Sequence, residues 1–462
     1  MLTMFLHPHL HLPTHRAKGE TTDMTTGSPT RGIVTFALPL VVGYVLQQMY
    51  LLINAVICGR WLGVGALAAV GASTSVMFLV MGFCNGCCAG IAIPIAQAFG
   101  AKRMGLMRSY VANAVRLALW ISIGLTVITA CLTTPILRAI NTPRDIFSDA
   151  YIFLLLSFLT IPCTMAYNLL AGFMRAVGNS RHPFYFLIAA SLLNIVLDLL
   201  FIVLLGWGVA GAGIATWLAQ AFAAGCCWLF IRRRMLLLIP QGEERVFLPS
   251  RARTLFNNGV PMGLQFSITG IGIIMLQSAN NALGTAYVAA FTASMRVKYL
   301  FTCVFENLGV AMATYCGQNI GARRLDRVSL GVRSALWIDA VYVVCVFAVV
   351  YPLAPALMQL FVKDPAIVAH AAQFMRVACF FYPALAVLTL MRYSIQGLGY
   401  SNLSMLSGVM EMLARCGVSL FLVPALAWTG VCFGDPVAWL AADCFLVPCY
   451  LLLFRHLARK QK

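Results

Sequence analysis

Twelve stretches of mainly apolar residues run through this chain, at roughly 32–58, 65–97, 109–134, 148–173, 183–205, 209–231, 256–280, 286–317, 332–355, 367–391, 402–424 and 434–454. About 20 such residues cross a bilayer as a helix. In lipid only a helix or a closed barrel satisfies its own backbone polar groups, and runs of this length select the helix. With 61% of the 462 residues hydrophobic and 10% charged, an ordinary soluble protein is excluded. The expected fold is an all-α polytopic membrane protein with twelve transmembrane helices.

A formal charge of +18 could point to nucleic acid, but the placement of the basic residues argues against it. Lys102, Arg103, Arg108, Arg232, Arg233, Arg234, Arg245, Arg251, Arg253, Arg323, Arg324, Arg327 and Arg333 fall on the side shared with both termini. Only Arg60, Arg138, Arg144 and Lys363 lie between spans on the other. This asymmetry predicts cytoplasmic termini and a multi-pass protein of the cell (inner or plasma) membrane. The basic loops lack aromatic interleaving and follow membrane ends, so no nucleic-acid partner is expected.

Most of the sixteen cysteines fall within spans and read as packing residues. The seven histidines sit in tails or at span ends, which argues against an intramembrane enzyme using Ser–His or metal chemistry. No phosphate-binding glycine loop is present. No metal and no cofactor are expected. Residues 1–31 read as a disordered cytoplasmic tail, with translation from Met24 as an alternative to Met1.

The chain is also internally duplicated. "AQAFGAKR" at 96–103 recurs as "GQNIGARR" at 317–324, "ALPLVVG" with Pro39 as "GVPMGLQ" with Pro261, and "RAVGNS" as "QGLGYS", at offsets of 221 or 222. Two units with equal, even numbers of spans must run parallel, an arrangement found in transporters that rock two lobes around a central site. The expected organisation is an N-lobe at 32–231, a cytoplasmic linker at 232–255, a C-lobe at 256–455 and a basic tail at 456–462.

Five carboxylates lie inside spans. A charge at mid-bilayer costs about 2.5–3.5 kcal/mol on insertion scales, so each needs a partner, a cavity or an ion path. Glu411 and Arg415 are spaced to pair on one helix face. Glu306 either pairs with another helix or lines the C-lobe cavity. Asp339 and Asp443 lie nearer span ends and are expected to reach water. Asp198, in "SLLNIVLDLLFIVLLGW", has no basic residue in its own span and has Asn194 one turn earlier. It is either a protonated core residue or a group that exchanges a cation, since burial disfavours the charged form of a carboxylate.

With "QQMYLLINAVICGRWLGVGALAAVG", the paired "QAFGAKR" and "GQNIGARR" loops, "AVGNS", N-x-x-x-D in span 5 and "GVPMGLQ" in order, the chain resembles multidrug and toxic compound extrusion (MATE) transporters, most closely the DinF-like branch. The resemblance covers residues 30–455. It implies a V-shaped pair of six-helix lobes and a monomeric antiporter that exports amphipathic or cationic small molecules in exchange for protons or sodium ions. It also implies that Asn194, Asp198 and Thr216 match the cation-coupling residues, and that Pro39, Gln47 and Tyr50 match residues that bend span 1 or line the cavity. Asn54 stands where an Asp is expected. Loss of that carboxylate favours a proton over sodium, because a hard cation depends on the number and charge of its oxygen ligands. Gln47, Tyr50, Asn168, Gln265 and Glu306 are the candidate substrate-cavity residues, and Pro39 the candidate hinge. The membrane lipid is the surrounding partner. The alternatives are a flippase for a lipid or lipid-linked saccharide, and an uncoupled membrane sensor or binding protein.

Overall fold

The computed structural model describes residues 21–461 except 62 and 141, and leaves the side chains of 51–52, 55–56, 58–59, 63–68, 72 and 461 aside. Its helices are α1 (Pro29–Trp61), α2 (Gly63–Gly100), α3 (Met104–Cys131), α4 (Phe147–Ala176), α5 (Arg181–Leu204) and α6 (Gly208–Arg234) in the first half. The second half holds α7 (Pro249–Asn281), α8 (Thr285–Gly321), α9 (Leu325–Gln359), α10 (Pro365–Phe380 and Tyr382–Gly397), α11 (Ser401–Leu426) and α12 (Gly434–Gln461). Eleven are long and apolar enough to cross a membrane singly, and α10 makes the twelfth as a pair bent by 54°. No strand occurs among the described residues. The all-helical expectation holds. Several helices outrun their apolar runs, so Arg392, expected in a loop, lies inside α10.

The duplication is visible in the backbone. The second segments of α4 and α10 each open with a proline in the first turn, Pro162 and Pro383, 221 positions apart. Proline lacks the N–H that would continue the helix and clashes with the preceding turn, so both helices break there. Two further breaks match: α5 widens into a π-helical turn over Leu199–Leu204 and α11 over Val418–Leu422. Such turns arise where an extra residue is inserted and are common at functional sites.

Each half has its own buried core. One gathers α2 to α6, around Phe158, Ile161 and Phe173; the other gathers α8 to α12, around Phe305, Phe374 and Tyr382. The first helix of each half crosses over. Ile33, Phe36 and Ala37 of α1 are buried in the second core, whereas Leu255 of α7 is buried in the first. Between the halves, α2 lies directly on α7, and a Cβ on Gly90 would fall 2.3 Å from the carbonyl oxygen of Asn258. Only a residue without a side chain lets the two backbones approach so closely.

The link between halves, expected at 232–255, narrows to 235–248 because α6 continues through Arg234 and α7 begins at Pro249. It is pinned to α3. Arg108 donates to both carboxylate oxygens of Glu244 at 2.6 and 2.7 Å, and the Leu248 amide donates to Asn113 Oδ1 at 2.9 Å.

The expected disordered tail needs correction in its last third; residues 1–20 lie outside the described residues. Residues 22–27 cross the seam at the end of the bundle that carries Lys102, Arg103, Arg323 and Arg324, here the basic end. The Thr22 amide donates to the Val177 carbonyl at 3.1 Å, and the Met24 amide to Gln318 Oε1 at 2.9 Å. Arg327 donates to the carbonyls of Met24, Thr26 and Gly27 at 3.0 to 3.3 Å. Met24 is 2% exposed. A polar segment without helix periodicity is ordered here by an acceptor from the first half and by donors and an acceptor from the second, which its local composition does not show.

Candidate functional site

The first half brings a row of polar side chains together between α1, α5 and α6. Asn54 Nδ2 donates to Tyr50 Oη at 3.4 Å, Tyr50 Oη donates to Asn194 Oδ1 at 2.6 Å, and Asn194 Nδ2 donates to Thr216 Oγ1 at 3.4 Å. Thr216 Oγ1 in turn donates to the Ala212 carbonyl one turn back at 3.0 Å. The row forms because Tyr50 and Asn54 are four apart on α1, so their side chains share a face. Through Tyr50 it joins three of the residues expected for cation coupling, Asn54, Asn194 and Thr216, and leaves Asp198 outside.

Asp198 closes the helical part of α5, immediately before the π-helical turn. It is fully buried, and neither carboxylate oxygen has a hydrogen-bond partner among the described residues. Asn194, one turn earlier, is already committed to Tyr50 and Thr216. Beyond it, Ile57, Ile202 and Ala212 form a small apolar cluster between the same helices. A carboxylate left without donors in such surroundings pays the full desolvation cost whenever it is ionised. The site can hold a proton, or a cation that brings its own charge.

Next to this row lies a cavity of about 470 Å³. Its wall includes Pro39, Tyr44, Gln47, Asn85, Asn168 and Gln220, with Met77, Met81 and Phe184 as apolar surface. Asn168 Nδ2 donates to Asn85 Oδ1 at 2.8 Å and to the Thr164 carbonyl at 2.9 Å. Thr216 belongs to both the cavity wall and the polar row. Of the expected cavity residues, Gln47 and Asn168 line this space. Tyr50 stands behind it in the row, and Gln265 and Glu306 are elsewhere. Gln265, 3% exposed, accepts from Gln396 Nε2 at 3.0 Å. Glu306 accepts from Tyr393 Oη at 3.0 Å, the partner on another helix that was one of its two expected fates.

The second half fills the matching place with charge pairs. The residues 221 positions on from Asn194 and Asp198 are Arg415 and Ser419. Arg415 donates to Glu411 Oε2 at 3.3 Å, as its spacing predicts, and to Asp435 Oδ1 at 3.1 Å. Arg392 completes the pairing of Glu411, and Lys298 that of Asp435. All five side chains are buried. Asp339 departs from expectation: it is 2% exposed with one carboxylate oxygen unpartnered, and Asp443 also keeps a buried unpartnered oxygen. The helix of Asp339 begins at Leu325, before its apolar run, and buries what looked like a span end; Asp443 stays partly exposed.

Among the cavity residues outside the expected set are Tyr44, Asn85, Arg175, Gln220 and Asn307. The signal for Arg175 was present, since the duplicated "RAVGNS" and "QGLGYS" differ in their first residue, Arg against Gln.

The MatE family model matches residues 39–200 and 261–420, most of each half. Probable multidrug resistance protein YpnP of Bacillus subtilis (strain 168) is 28% identical over 367 residues, covering 79% of this chain and 82% of the relative. DNA damage-inducible protein F of Escherichia coli (strain K12) is 25% identical over 338 residues, with 71% of each covered. Solved structures described as MATE in complex with MaL6 and MATE in the bent conformation superpose with a TM-score of 0.88 each. They are 21% and 22% identical and cover 97% and 96% of this chain, and 100% and 99% of theirs; at that identity the likeness speaks for the fold alone. The family match spans both repeats and the polar row lies inside it, so this chain belongs to the MatE family of multidrug efflux transporters, secondary transporters rather than enzymes.

Proposed function

We propose that the chain is a cation-coupled antiporter that exports amphipathic or cationic organic compounds across the plasma membrane by alternating access, with the basic end in the cytoplasm and the proton as coupling ion. The observation that carries this reading is Asp198: buried, with both oxygens unpartnered, one turn from an Asn whose amide leads through Thr216 to the cavity wall. Loading such an acid changes the local charge by one unit, and Thr216 is placed to transmit that change to the cavity.

A proton is favoured over sodium because the row contributes only neutral oxygens, from Asn54, Tyr50, Asn194 and Thr216. A sodium ion would have Asp198 as its single anionic ligand, whereas protonation needs no ligand shell. Pro39 is the proposed hinge. It lies in α1 where that helix leaves the second core and begins to line the first-half cavity, and a proline interrupts the hydrogen-bond ladder that would stiffen it.

The test is purified protein in liposomes, with dye efflux followed under an imposed pH gradient and, separately, a sodium gradient. Flux that responds to the pH gradient, and that Asp198→Asn makes indifferent to it, is the expected result. Ligand binding without any gradient-driven flux would instead favour an uncoupled sensor, the reading that Asn54 in place of a carboxylate supports. Movement of lipid-linked saccharide alone would favour a flippase.

A further inference from the structure

The cavity carries a charge that proton exchange at Asp198 does not use. Arg175, in the last turn of α4, lines the cavity, and its guanidinium makes no hydrogen bond or ion pair among the described residues. Among the described residues no Asp or Glu lines the cavity. The acid nearest in sequence to a lining residue is Glu306, beside Asn307, and it is engaged by Tyr393. The described lining therefore carries one formal charge, which is positive, with the half-buried Glu306 carboxylate just behind Tyr44 and Tyr393.

A basic residue in the last turn suits the helix dipole, which explains why an arginine is tolerated there. It does not explain why the donors are left open. The terminal carbonyl beside it, that of Ala176, is satisfied by Gln318 Nε2 at 2.9 Å. Nor does the fold require a charge at this position. Its counterpart 221 positions on is Gln396, fully buried and donating to Gln265 at 3.0 Å and to Ser404 at 2.6 Å. The second half seals this place with a neutral amide network, and the first half leaves a cation facing open space.

A guanidinium offers five N–H donors in a planar fork that matches carboxylate, sulfonate and phosphate oxygens, and it stays charged at any physiological pH. In a cavity whose wall also includes Met77, Met81 and Phe184, its field is screened less than in open water, so it favours an anion over a cation. A space of about 470 Å³ suits a mid-sized organic molecule. We infer that this cavity seats amphiphiles by an anionic head group, sulfonate, carboxylate or phosphate, held on Arg175, with the apolar body against Met77, Met81 and Phe184. The inference rests on the efflux reading of the same cavity and, among the amphipathic compounds of that reading, favours organic anions and zwitterions over cations.

The experiment uses full-length protein in phosphatidylcholine nanodiscs and two dansyl-labelled alkyl probes, one ending in a sulfonate and one in a neutral hydroxyl, with binding read by tryptophan-to-dansyl energy transfer. Wild type should bind the sulfonate at least tenfold more tightly than the hydroxyl probe. Arg175→Gln should abolish that preference, with a thermal midpoint close to that of wild type as the check that the variant is folded. Arg175→Lys, retaining the charge without the fork, should keep part of the preference. Sulfonate binding within twofold of wild type in Arg175→Gln, or no preference in wild type, overturns the inference. Displacement of the sulfonate probe by added phosphatidylglycerol supports it and identifies a lipid head group as the source of the anion; displacement only by a free alkyl sulfonate supports it with a soluble amphiphile. If the binding preference holds while neither probe moves under a gradient in liposomes, the efflux reading fails and the anion site stands. If gradient-driven dye flux occurs with no sulfonate preference, the anion site fails alone.

Discussion

Gln97 and Gln318, 221 positions apart, each reach across the seam to the end of a helix in the other half. Gln97 Nε2 donates to the Gly397 carbonyl at 3.0 Å, and Gln318 Nε2 donates to the Ala176 carbonyl at 2.9 Å, the acceptors themselves being 221 positions apart. Their neighbours Gly100 and Gly321 allow the contact, since a Cβ on either would fall 1.9 Å from the carbonyl oxygen of the opposing glutamine. The repeated "AQAFGAKR" and "GQNIGARR" thus encode one clasp, used twice, that holds the basic end of the bundle shut.

The clasp is unequal in one respect. Gln318 also accepts from the Met24 amide, whereas among the described residues Gln97 holds only the Gly397 carbonyl. A typical hydrogen bond contributes about 1 kcal/mol net, and a buried group left unpaired costs about 1–3 kcal/mol. Gln318→Ala should therefore lower the thermal midpoint in detergent more than Gln97→Ala. Equal shifts would show that the Met24 contact contributes nothing.

Residues 22–27 should stabilise the closed basic end. A chain that starts at Met24 loses the Thr22 contact to Val177 but keeps the carbonyls that Asn319 and Arg327 bind. One that starts at Ser28 leaves those donors unmet. Thermal unfolding should rank the full chain above the Met24 start, and that above the Ser28 start.

Tyr50→Phe removes the hydroxyl that joins Asn54 to Asn194 at little cost in volume. Gradient-driven flux should fall by about tenfold, the scale of a lost hydrogen bond to a positioned group, with a modest fall in thermal midpoint because the buried Asn194 Oδ1 loses its donor. If flux is untouched, the polar row has no part in coupling.

Glu411 pairs with two arginines, Arg392 and Arg415, in a dry interior. Removing one partner of a buried pair costs about 3–5 kcal/mol because the other charge is stranded. Glu411→Ala should be strongly destabilising, and Arg392→Met combined with Glu411→Ala less so than the sum of the two alone. Additive losses, measured by denaturation in detergent, would mean that the two side chains are not coupled.

Asp198→Asn replaces a carboxylate that lacks donors with a neutral amide of the same shape. The protein should be at least as stable as wild type while losing its response to a pH gradient. A marked fall in stability would indicate that the carboxylate has structural partners and is not the exchanging group.

What the amino-acid sequence determined by itself was everything that depends on local periodicity and repetition. Apolar run length specified helices that span a bilayer, prolines at matching positions placed their breaks, and the 221-residue offset paired the halves. The placement of Asn194 and Asp198 on one face of α5 followed from helical spacing alone. Side-chain company across the seam was decided only by tertiary packing. Gln265 and Glu306 are polar and lie in membrane spans, as Gln47 and Asn168 do, yet they bond to neighbouring helices instead of lining the large cavity. Residues 22–27 have no periodicity to announce them and are ordered by Gln318, Asn319 and Arg327, some 300 positions away. Arg175 and Gln396 occupy equivalent places in a repeated motif, and one faces a cavity while the other is sealed. Hydrophobicity acts on each segment separately, whereas the partners of a buried polar group are set by how the segments pack together.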